Sequence, residues 1–206
     1  QEAGFQVALH AVEEEEVEAA ISALEHASQK STHPHRRHRI EHCSLCPPPL
    51  LERLRSLEAL VVTQPSFLYY SGERYMTQVP REKHPWLYPL KSLLSGGVGL
   101  AASSDCPVVP PGPLMGIYAA ITRRSEAGDA LQPSEAVQPI DVLRMYTGAG
   151  AYASFEEDLK GSISVGKLAD LVVLDNDPLA VFPEEIKSIK IEMTIAGGEI
   201  AWDRTS

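Results

Sequence analysis

The sequence predicts an α/β fold: a parallel sheet with crossover helices, followed by a small all-β appendage. Two observations carry this. Up to about Lys160, short and almost continuously apolar segments alternate with helical patterns, which is how strands buried on both faces read. Beyond Lys160 the helical periods stop, and short strand-like runs follow one another between Gly and Pro turns. Residues 1–160 and 161–206 are therefore expected to be two structural units.

Phe5–Leu9 alternates as a buried strand that ends at His10, and Glu13 to Ser28 carries an apolar stripe at Val17, Ala20, Ile21 and Leu24. That i, i+3, i+4, i+7 spacing is one face of an amphipathic helix. Glu13–Glu16 falls in its first turn, where negative charge complements the helix dipole. His33–His38 is a polar loop of three histidines and two arginines, read as solvated. Arg39–His42 is a second strand, and Pro47–Leu57 a helix whose first turn tolerates its prolines. Ala59–Thr63 is a third strand, followed by a long loop from Gln64 to about His84. A helix near Trp86–Leu94 stops at Gly96-Gly97, a favoured C-terminal signal. Val98–Ala102 is the fourth strand, and Pro113–Ser125 and Ile140–Ala153 are further helices. In the tail, Gly161–Val165, Asp170–Leu174, Ile186–Ile195 and Glu199–Trp202 read as strands. A complete (β/α)₈ barrel takes about 250 residues, so four strand–helix units suit either half of such a barrel or a small open sheet.

Composition narrows the function classes. The 206 residues hold 18 basic and 28 acidic side chains, a formal charge of −10. Such a chain is a poor binder of nucleic acid or of anionic membranes, and its apolar runs are too short to span a bilayer. Three cysteines (Cys43, Cys46 and Cys106) are too few for a disulfide scaffold and point to a reducing, cytoplasmic setting. The opening QEAGFQVALH shows no basic segment and no cleavage signal. It also lacks an initiator Met, so a piece that starts inside a longer protein is expected.

Three strands close on a good metal ligand: His10, His42 and Asp105. In parallel α/β folds, sites are built at the carboxyl ends of the strands. His10 and His42 lie 32 positions apart and His42 and Asp105 lie 63 apart. With a unit of about 31 residues, those spacings let all three converge on one face. Two imidazoles and a carboxylate suit a borderline divalent cation such as zinc. The same set describes the facial triad of a mononuclear non-haem iron oxygenase, a rival reading. Cys43-x-x-Cys46 has redox or half-zinc spacing but no second pair, and reads as structural. No nucleophile elbow, phosphate loop or dinucleotide fingerprint occurs.

At these same residues the sequence resembles a known family. Five runs carry the likeness: VALHAV (Val7–Val12), RHRIEHCSL (Arg37–Leu45), VVTQPSF (Val61–Phe67), GVGLAASSDCPVVPPGPLMGIYAAITR (Gly97–Arg123) and GSISVGKLADLVVLDNDPL (Gly161–Leu179). They are similar to the amidohydrolase superfamily, in its YtcJ-like, amidohydrolase-3 branch. The resemblance implies a metal-dependent hydrolase on a (β/α)₈ TIM-type barrel with a β-sandwich. The four strands become strands five to eight, the C-terminal half of the barrel, and Gly161 onward becomes a sandwich segment.

The resemblance also implies that His10, His42 and Asp105 bind one or two divalent ions, zinc foremost, and that Asp105 is the catalytic proton acceptor. The expected reaction is hydrolysis of a non-peptide C–N bond in a small amide, an N-acyl amine or an N-formyl amine. The alternative is an inactive folded fragment with an incomplete metal site. The family's strand-one His-x-His pair and its strand-four bridging ligand have no counterpart here, and Glu13-Glu14 stands where Gly-Asp is common. Tyr69, Tyr70, Tyr75 and Trp86 are candidates for an aromatic-tolerant substrate pocket. Open strand edges predict a homo-oligomer or association with a missing N-terminal portion.

Overall fold

The computed structural model of the chain describes residues 5–30 and 37–205. His33, His35 and Arg36 of the polar loop lie outside the described residues.

Four short strands form one parallel sheet in sequential order: β1 (Ala8–Ala11), β2 (Arg39–His42), β3 (Leu60–Thr63) and β4 (Gly99–Ala102). Their registers run Leu9 to Ile40, Ile40 to Val61 and Val61 to Leu100, so the four carboxyl ends come out side by side. Between the first three strands lie α1 (Glu14–Lys30) and α2 (Pro48–Ser56). After β3 come α3 (Ser66–Gln78), a 3₁₀ turn at Arg81–Trp86 and α4 (Leu90–Ser95). After β4 come α5 (Pro113–Thr122), α6 (Pro139–Tyr146) and α7 (Gly148–Ala153).

The expected stripe on α1 is its buried face: Val17, Ala20, Ile21 and Leu24 pack with Ile40, Leu54, Val61 and Leu100 in the main core. Complete burial of one such aliphatic side chain contributes about 1.5–3 kcal/mol. The acidic first turn also acts as a cap. Glu16 Oε2 accepts from the N–H groups of Val12 (2.8 Å) and Glu13 (3.2 Å), half of a capping box.

Four expectations need correction. Gln64 to His84 is not a loop: α3 and the 3₁₀ turn occupy most of it. Its aromatic residues and central glycine obscure the helical period, yet Phe67 and Leu68 are buried. Gly72 is there for clearance, since a Cβ on it would lie 2.5 Å from the Cβ of Ser125. The helix over Ile140–Ala153 is two, broken at Thr147 (φ −121°, ψ −93°), whose hydroxyl donates back to the carbonyl of Leu143. Gly161–Val165 is irregular, and Ile186–Ile195 divides into a 3₁₀ turn (Pro183–Ser188) and a strand.

The tail strands β5 (Leu171–Leu174), β6 (Ile191–Ala196) and β7 (Glu199–Asp203) form an antiparallel sheet. It is tied to the first sheet's core rather than hung beside it. Ile186, completely buried, joins the main cluster, and Lys187 Nζ sits 5.1 Å above the Tyr118 ring of α5. Among the described residues no helix is long and apolar enough to cross a membrane.

Candidate active site at the strand ends

β1 and β2 deliver His10 and His42 to the same edge of the sheet. Their rings meet edge to face with centroids 4.5 Å apart, and the Phe67 ring stacks beside His42 at 6.3 Å. His10 stands open to solvent, whereas His42 is 6% exposed. The chain pays for that placement in backbone strain. His42 (φ 74°) and Cys43 (φ 51°) are both left-handed, a conformation costing non-glycine residues about 1–3 kcal/mol unless the surroundings enforce it. Here the Cys43 N–H donates to the carbonyl of Ala11 (2.9 Å) and the Leu45 N–H to that of Val12 (3.1 Å). The buried Cys43 thiol also hydrogen-bonds Cys46, and that contact, helped by burial, raises its pKa well above the usual thiol value. The Cys-x-x-Cys pair is thus a clamp on the turn after β2, with both thiols free and in the core.

Gln64, directly after β3, completes the arrangement. Its Nε2 donates to the carbonyl of Val62 (3.2 Å) and to Ser103 Oγ (2.9 Å), and its Oε1 faces His42 Nδ1 at 2.7 Å. Side chains from β2 and from just beyond β3 and β4 are joined in one network. From the sequence, Gln64 reads as the first residue of a loop. The signal was present, because a polar side chain closes the apolar third strand as His10 and His42 close theirs.

Asp105 lies three residues beyond β4, exposed and left-handed (φ 58°). It is on the same edge of the sheet as the histidines, but among the described residues no three His, Cys, Asp or Glu side chains are grouped to hold a metal ion. The two histidines come together; Asp105 does not join them in such a group.

The surrounding charge is negative. The Glu16 carboxyl is held below the ordinary range by the N–H groups of Val12 and Glu13, and it is near enough for His10 and His42 to assist. Glu14 and Glu15 pair with Lys83 at 3.1 and 3.3 Å, tying the 81–86 turn to the start of α1. Of the aromatic candidates, Tyr69, Tyr70 and Tyr75 pack against one buried cluster that includes Phe67, Leu68 and Tyr88. Tyr69 packs on Tyr70 and Tyr118, and the Tyr75 hydroxyl meets that of Tyr88 at 3.1 Å inside the fold.

Comparison with known proteins agrees on one family. The model of the amidohydrolase family (Amidohydro_3) matches residues 1–201. The chain is 28% identical to the protein named amidohydrolase YtcJ of Bacillus subtilis (strain 168), covering 99% of this chain and 39% of that protein. It is 30% identical to the N-substituted formamide deformylase of Arthrobacter pascens, over 98% of this chain and 37% of that enzyme. A metal-dependent hydrolase of uncharacterised function from Pyrococcus horikoshii OT3 superposes with a TM-score of 0.75 at 29% identity, covering 88% of this chain and 36% of that one. The chain thus spans less than half the length of these relatives.

Proposed function

This chain belongs to the amidohydrolase family, and on that premise we propose that it takes part in metal-dependent hydrolysis of a small amide-type C–N bond. The observation that carries the reading is the His10–His42 pair at adjoining strand ends, with the second ring buried and engaged at Nδ1 by Gln64. Under this reading, residues 1–160 are strands five to eight of a (β/α)₈ barrel and 161–206 a sandwich segment. The sequential, all-parallel order of β1 to β4 supports that assignment.

The donor set suits a divalent ion of zinc's character: two imidazoles in ring contact, with a carboxylate beyond the end of β4. His10 and His42 would hold it; Asp105, on the same edge of the sheet but not grouped with them among the described residues, would act on the water rather than complete a three-ligand set. Bound there, the ion would supply a Lewis acid that brings the pKa of a water toward neutrality. The protein's own work is then proton management. The Asp105 carboxylate takes the proton of the attacking water and returns it to the nitrogen of the departing amine. Phe67 and the packed wall behind His42 keep bulk water from the inner side.

The 30% identical formamide deformylase makes N-formyl and N-acyl amines the first substrates to test. Purified protein should release formate or acetate from such amines, and Asp105→Asn should reduce turnover by about 10²–10⁴-fold, as loss of proton transfer does, with an unchanged circular dichroism spectrum. Turnover of Xaa-Pro dipeptides alone would move the reaction to peptide bonds, and turnover of esters alone would remove the C–N assignment. A second reading, a folded chain with an incomplete site, is favoured by the lack of a three-ligand group among the described residues. It predicts no stoichiometric zinc and no turnover with any of these substrates.

A further inference from the structure

We propose that Gln64 is a positioning residue that holds His42 as its Nδ1–H tautomer, so that the Nε2 lone pair is the atom His42 offers at the site. The use of that lone pair for a metal rests on the reading above; the tautomer itself does not.

The argument begins with which end of the amide faces which neighbour. The carbonyl of Val62 can only accept, and it lies 3.2 Å from one terminal atom of Gln64. That atom must therefore be the NH₂ group, and it also donates to Ser103 Oγ at 2.9 Å. The other terminal atom is then the carbonyl oxygen, an acceptor, and it sits 2.7 Å from His42 Nδ1. Two acceptors do not share a proton, so Nδ1 carries the hydrogen and donates it. A neutral imidazole has one N–H and one lone pair, so the lone pair falls on Nε2.

The geometry is anchored well enough to matter. Gln64 is 2% exposed, and a buried amide at this depth keeps its partners because leaving one unpaired costs about 1–3 kcal/mol. Its three hydrogen bonds come from three strand ends: His42 closes β2, Val62 is within β3, and Ser103 follows β4. The same side chain thus fixes the ring of His42 and ties it to the segment that leads to Asp105. Orienting partners of this kind typically change metal affinity by 10–100-fold when removed.

The test is long-range ¹H–¹⁵N correlation spectroscopy of the histidine side chains in the metal-free 206-residue chain, at alkaline pH where imidazole is neutral. The expected spectrum shows His42 with Nδ1 protonated. Gln64→Met keeps the volume and removes the strong acceptor, and His42 should then shift toward the Nε2–H form. If His42 in the unmodified chain is Nε2–H, or if Gln64→Met leaves an Nδ1–H ring unchanged, the proposal is overturned. The first of these needs no variant, so poor folding of Gln64→Met does not protect the idea. Zinc titration of the unmodified chain is read separately. Nδ1–H in a chain that binds no zinc leaves the Gln64 assignment standing and removes the metal reading; binding that weakens 10–100-fold in Gln64→Met supports both.

Discussion

Arg123 shows how far single residues determine this fold. It closes α5 in a left-handed conformation (φ 56°) and is completely buried. Its guanidinium donates to the carbonyls of Leu131 (2.9 Å), Tyr88 (2.9 Å) and Leu87 (3.0 Å), joining the turn after α5 to the segment before α4. Burial pushes its pKa down to about 10, with Glu135 and Tyr88 opposing, so it stays charged at neutral pH. Arg123→Met would leave the carbonyls of Leu131 and Leu87 unpaired, at about 1–3 kcal/mol each, while that of Tyr88 keeps the Leu90 N–H at 2.8 Å. We expect a loss of at least about 2 kcal/mol, measured as a fall in the urea midpoint with little change in slope. Arg123→Lys should recover only part of it, because an ammonium cannot span the three acceptors as a planar fork does.

At the scale of elements, the β1–α1 junction carries the prediction. Glu16 accepts from Val12 and Glu13, and those bonds hold its pKa below the ordinary carboxylate value. A depressed folded pKa gives stabilisation that is fully present above the unfolded value and lost as pH falls through the folded one. Acidification below pH about 4.5 should therefore loosen this turn before the core. Amide exchange at Val12 and Glu13 should accelerate there, and in Glu16→Ala it should be fast at every pH. The global cost of Glu16→Ala should be about 0.5–1 kcal/mol, typical of a helix cap. The Lys83 pairs to Glu14 and Glu15 are partly open to solvent, and their removal should move stability by less than about 1 kcal/mol. Lys83→Ala tests this: a larger loss would mean that the 81–86 turn depends on them.

For the whole molecule, unpaired surface is the main fact. β1 and β4 are the edges of the parallel sheet, and edges of apolar strands offer unpaired backbone groups. The tail sheet exposes Val172 (54%), Ile200 (60%) and Trp202 (48%), more apolar area than one scattered residue accounts for. We expect self-association or association with a further polypeptide segment that covers these surfaces. Size-exclusion with light scattering should show species larger than 22.5 kDa at micromolar concentration. A monodisperse monomer of the unaccompanied chain would refute the argument.

The sequence by itself determined what depends on local pattern. The α1 stripe, the acidic cap, β2 and the four parallel strands were legible because burial periodicity and turn residues act over a few neighbours. The family was legible too, from strings such as SSDCPVVPPGP (Ser103–Pro113), and the family model matches residues 1–201. Helix α3 was not, because its aromatic residues are buried by elements distant in the chain, and its Gly72 is required by contact with Ser125, 53 positions on. Nor was the role of Gln64. Which end of an amide faces which neighbour, and which nitrogen of His42 keeps its lone pair, depends on Val62, Ser103 and His42 arriving together from three strands. No spacing along the chain encodes that meeting; only the register of the sheet brings it about.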